Sequence, residues 1–97
     1  MNEQTPEAIE QTAAEDVQRA DDTLAALEQR ILDDDQDVTP AEIEAARSQR
    51  HFAGLRLQAA QRKADRLRAE QQEAARQAAR VEAQQLLAAH DLDTVAT

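Results

Sequence analysis

The sequence predicts an all-α protein: an antiparallel, coiled-coil-like helical hairpin with a long second helix, assembling into a dimeric bundle. Three observations predict it. Apolar residues recur at steps of three and four in two separate stretches. Two Thr-Pro pairs mark helix starts, the second of them just after an acidic run, and the two apolar stretches carry opposite charge.

The first helix is expected over residues 6–32, after a disordered N-terminus of residues 1–5. Thr5 offers a capping oxygen, Pro6 is preset for the first helical position, and Glu7 complements the positive end of the dipole. Ile9, Ala13, Val17, Ala20, Leu24, Leu27 and Ile31 then follow heptad spacing. Asp33-Asp34-Asp35-Gln36-Asp37 begins where aspartates oppose the negative helix end, so residues 33–39 read as a solvated turn.

The second start carries four agreeing signals. Thr39 and Glu42 form a capping box, Pro40 occupies the first helical position, and Val38 and Ile43 sit where a hydrophobic staple requires them. No proline follows, and Gly54 is the only weak interior position, costing about 1 kcal/mol against alanine. A helix is expected from residue 40 to 91, with residues 92–97 disordered. Its seam runs through Ile43, Ala46, Ala53, Leu57, Ala60, Ala64 and Leu67, interrupted by Arg50, and continues thinly through Ala74, Ala78 and Val81.

At 1.5 Å per residue the helices would measure about 40 and about 78 Å, so the first covers the second only to about Arg68. Residues 69–91 therefore read as an extension for association, with Ala74, Ala78, Val81, Leu86 and Leu87 as the partner-binding residues.

The charge pattern sets the expected pairing. The first 46 residues hold fourteen Asp/Glu against two Arg, whereas residues 47–68 hold seven Lys/Arg against Asp65 alone; the whole chain nets −9. An acidic helix folded back on a basic one follows from this. Expected flank pairs are Arg30 with Glu42, Glu28 with Arg47, and Asp16 with Arg56, with Arg50 reaching from the seam toward Asp21 or Asp22. Exposed pairs of this kind contribute about 0–1 kcal/mol each and select register more than they stabilise.

Composition bounds the function. The 97 residues make one small domain, and its only aromatic is Phe52. Twenty-two residues are alanine and only 18 are larger apolar side chains. At roughly 1.5–3 kcal/mol per buried side chain these barely offset about 1–2 kcal/mol of backbone entropy per residue, so self-association is expected. The absence of cysteine rules out disulfides and thiolate metal sites. No apolar run nears the roughly 20 residues of a membrane span, and no signal pattern opens the chain, so a cytoplasmic protein is expected.

Three constellations are weighed as sites. Asp33, Asp35, Asp37 and Glu44 match part of a calcium loop, but Val38 stands where that loop needs glycine, so no metal site is expected. Arg47, Arg50, Arg56, Arg62, Lys63, Arg66 and Arg68 support an alternative reading, a nucleic-acid-binding regulator with the acidic helix as competitor. They spread around the helix with no interleaved aromatics, which disfavours that reading. His51 and His90 lack any partner at ligand or catalytic spacing. No pocket able to tune a carboxylate is expected in a hairpin, so neither catalysis nor a cofactor or small-molecule substrate is expected.

The stretch Asp21–Arg68, with its run LEQRILDDDQDVTPAEIEAARSQRHFAGLRLQAAQRKADRLR, resembles small acidic helical proteins of phages and mobile elements of high-GC Gram-positive bacteria. The acidic helical composition is also similar to phage scaffolding proteins. The resemblance implies an assembly or accessory role and transfers no site residue. The reading as a whole is a non-enzymatic protein–protein interaction module, a homodimer or the partner of another helical protein.

Overall fold

Each helix begins where a threonine supplies a missing acceptor. Thr5 Oγ1 accepts from the backbone N–H of Ala8 at 3.1 Å, and α1 (Pro6–Leu32) follows. Thr39 Oγ1 accepts from the N–H of Glu42 at 3.2 Å, while Glu42 Oε1 accepts from the N–H of Thr39 at 3.2 Å, closing the reciprocal box that opens α2 (Pro40–Ala96). Val38 is half-buried and Ile43 buried, as a staple requires. The computed structural model describes the backbone of residues 4–96 and the side chains of residues 4–89, and among these residues there is no strand. Both predicted starts and the 33–39 connection stand where the sequence placed them. The end of α2 does not: the helix continues past Asp91 to Ala96, because no proline or glycine interrupts residues 91–96. Thr5 is fixed as a cap and does not belong to a disordered terminus; residues 1–3 and Thr97 lie outside the described residues, as does the side chain of His90.

The chain divides into two compact units, Met1–Asp65 and Arg66–Thr97. The first is the hairpin. Asp21 of α1 is ion-paired to Arg50 of α2, Ile9 and Ala13 share a groove with Ala60 and Lys63, and Ala20 and Leu27 share another with Ala46 and Gln49. Partners run in opposite order along the two helices, so the packing is antiparallel.

Its core is built mostly of alanine. Ala13, Ile43, Ala46, Ala53 and Ala64 are buried, and Ile9, Val17, Ala20, Leu24, Leu27, Leu57 and Ala60 are half-buried around them. Small residues let two helices approach toward the near end of the usual range, about 8 Å between axes. The predicted seam is observed except at its edge. Ile31 is 46% exposed, because α2 only begins at Pro40 and no wall stands opposite the last turn of α1.

The acidic connection is a built turn and not merely a solvated link. The N–H of Asp35 donates to Arg30 O at 2.9 Å and that of Asp34 to Ile31 O at 3.0 Å, the two bonds of a Schellman motif. Asp34 takes the left-handed position, with φ 68°, that glycine usually fills. The apolar contact that normally completes the motif is replaced by an ion pair, Arg30 Nε donating to Asp35 Oδ2 at 2.9 Å. Asp34→Gly is expected to raise stability by about 0.5–1 kcal/mol, since it removes left-handed strain and one charge at the negative helix end. A thermal melt lower than the parent's would contradict this.

The Asp35 carboxyl is held below the ordinary aspartate range, first by the Asp37 N–H donating to it at 2.9 Å and then by Arg30. Its folded pKa is depressed, so its contribution is complete above the unfolded value of about 3.9 and is lost as pH falls through the folded one. Asp35→Asn should therefore destabilise the hairpin at neutral pH and flatten the acid limb of its stability curve below about pH 4. Parallel acid limbs for parent and variant would show that the ion pair does not hold the turn.

In the second unit Leu67 and Arg68 are half-buried, and every described side chain from Ala69 to Ala89 is exposed.

Candidate functional site

The candidate surfaces are those on which a helix can dock. The first is the stripe predicted on the second unit. Ala74, Ala78, Val81, Leu86 and Leu87 are all exposed, the last three at 51%, 68% and 64%. At about 100° per residue, Ala74, Ala78 and Val81 fall within about 60° of one another. Leu86 stands about 140° round from Val81, and Leu87 about 120° round the other way. Three of the five therefore share a face, while the two leucines stand well round the helix from it, Leu87 on the side of Arg80. Away from the stripe, Glu73 pairs with both Arg76 and Arg80, at 3.3 and 3.5 Å.

The basic residues of 47–68 are not one surface. Arg47 pairs with Glu44 at 3.3 Å, Arg50 with Asp21, and Arg56 lies 5.7 Å over the Phe52 ring. Arg68 is also engaged. Among the described residues, Arg62, Lys63 and Arg66 have no carboxylate partner.

None of the three expected flank pairs forms. Arg30 pairs with Asp35 and Asp16 with Arg19, while Glu42 closes the capping box and Arg47 turns to Glu44. Partners three residues away, or in the adjoining turn, reach with less loss of side-chain freedom than a group on the other helix. Arg50 is the exception. Its guanidinium reaches Asp21 across the half-buried Gly54, where a Cβ would lie 2.9 Å from Arg50 Nη1. The weakest helical position in the sequence leaves room for the arginine that sits on the seam.

The carboxylates of two of the three aspartates that resemble part of a calcium loop are likewise engaged. Asp33 accepts from Gln29 Nε2 at 3.1 Å, and Asp35 is bound by Arg30 and by the Asp37 N–H. His51 is exposed.

The hairpin has two unlike flanks, which the sequence reading missed. On one, two grooves of about 460 and 440 Å³ open between the helices. Their α1 walls include Thr12, Asp16, Arg19 and Thr23; their α2 walls include Ala45, Gln49, Arg56, Ala59 and Lys63. Each of these stands one position before a seam position, Gln49 preceding the Arg50 that interrupts the seam. The other flank carries the Asp21–Arg50 pair. The signal was available: residues 45, 49, 52, 56, 59 and 63 follow the seam's own four-and-three spacing, and Phe52, 56% exposed, is among them.

Neither a family model, a curated protein nor a solved structure matches this chain. Among the described residues no helix is long and apolar enough to cross a membrane.

Proposed function

We propose that this chain is a non-enzymatic helix-association module that works as a homodimer, with Ala74, Ala78, Val81, Leu86 and Leu87 contributing to the contact. One observation carries the reading: every described side chain from Ala69 to Ala89 is exposed, although Val81, Leu86 and Leu87 are large and apolar. Residues with this exposure gain by burial against another helix, at about 25 cal/mol per Å² of apolar surface removed from water. An accessory or scaffolding role in the cytoplasm, of the phage-related kind that the composition resembles, fits a module of this sort.

Light scattering tests it. The full chain at tens of micromolar should have the mass of two copies, and Val81→Glu with Leu86→Glu should weaken the association. A parent of single-copy mass at that concentration removes the reading. The nucleic-acid alternative is not favoured, because Arg47 and Arg50 already hold carboxylates and Arg56 lies over Phe52.

A further inference from the structure

The grooved flank of the hairpin offers a second contact, and its charges say what fits it. Both grooves have small or aliphatic floors, Ala13 and Ala60 in one, Ala20, Leu27 and Ala46 in the other, so a helix can approach closely. Asp16 stands on the α1 wall, facing Arg56 and Lys63 on the α2 wall of the same groove. Yet among the described residues Asp16 pairs only with Arg19, its neighbour on α1, and neither Arg56 nor Lys63 has a carboxylate partner. Phe52 lies beside this wall, half its surface in water under the Arg56 guanidinium.

We infer that this flank docks a second copy of the chain, the two hairpins facing each other about a two-fold axis that runs along the helices. The inference rests on the proposed self-association and adds a distinct surface to it. In this arrangement α1 of one copy lies over α2 of the other, and the turns are at the same end. The antiparallel pairing that brings Asp16 level with Arg56 in one hairpin then brings Asp16 of each copy level with Arg56 and Lys63 of the other. The contact is isologous, so acid meets base twice and the assembly closes at two copies. A hydrophobic surface without charge would accept the reversed orientation equally well. Here reversal lays α1 of each copy over α1 of the other, so acid meets acid instead of base, and like charges disfavour it.

A charge exchange in the full chain tests the arrangement. One variant carries Arg56→Glu with Lys63→Glu, the other Asp16→Lys. Circular dichroism establishes that each keeps its helicity, and Arg47→Glu on the other flank serves as the control. By analytical ultracentrifugation each exchanged variant alone should dissociate at least about tenfold more readily than the parent, because like charges meet twice. Mixed in equal amounts they should recover a two-copy species containing one of each, since both contacts are then complementary.

The inference is overturned if either variant alone associates as tightly as the parent, or if the mixture does not recover. Should association respond to Val81→Glu with Leu86→Glu but not to the exchange, the flank is excluded while the proposed function stands. A parent of single-copy mass removes both.

Discussion

Ile43→Ala should cost the hairpin about 2–4 kcal/mol, the largest single effect expected in this chain. Among the described residues Ile43 is the only buried one of the hairpin core larger than alanine, Pro6 at the start of α1 aside. It also forms half of the staple that sets the entry of α2. Truncation removes buried methyl groups from water-excluded contact and leaves a void that two helices, tied at the turn, fill only in part. Stability for a unit of this size is about 3–10 kcal/mol, so much of it is at stake. The control is Ile31→Ala. Ile31 occupies an equivalent heptad position but is half-exposed, and its loss should cost under about 1 kcal/mol. Urea melts followed at 222 nm make the comparison. Equal losses at the two isoleucines would mean that burial does not distinguish them and that the described core is wrong.

Ala64→Leu should destabilise by about 1–3 kcal/mol for the opposite reason. Ala64 has no exposed surface at all, and it lies on the seam that alanines keep narrow. Three further carbons there force the helices apart or push leucine off its preferred rotamers. Helix propensity barely opposes the change, since leucine follows alanine closely in rank. The loss should appear locally as faster hydrogen exchange in the first turns of α1, which the antiparallel order places opposite this end of the hairpin. Ala69→Leu, on an exposed position of the same helix, should stay within about 0.5 kcal/mol of the parent. A neutral Ala64→Leu would show that the helices are not closely apposed there.

The two substitutions also mark what could be read in advance. Thr5-Pro6, Thr39-Pro40 and Glu42 located both starts because a cap is settled within one turn, by atoms three residues apart. The seam from Ile9 to Leu27 and from Ile43 to Ala64 was readable because a period of three and four leaves only one apolar face. The exposure of Ile31 was not, since it depends on where the opposite helix begins. Nor was the role of Asp34 and Asp35, which as letters are only two more acids in a run. The left-handed φ of one and the ion pair of the other appear only when the turn closes.

Charge shows the same division more sharply. Sequence alone determined that an acidic helix would lie antiparallel to a basic one, because block charge and heptad phase are properties of whole segments. Only the tertiary structure decided that Asp21 takes Arg50, that Arg30, Asp16 and Arg47 turn to neighbours on their own stretch of chain, and that one flank is left grooved with Arg56 and Lys63 facing Asp16. The rival pairings differ by less than about 1 kcal/mol each. Differences that small are resolved by side-chain reach and backbone register, quantities that exist only once the helices are side by side.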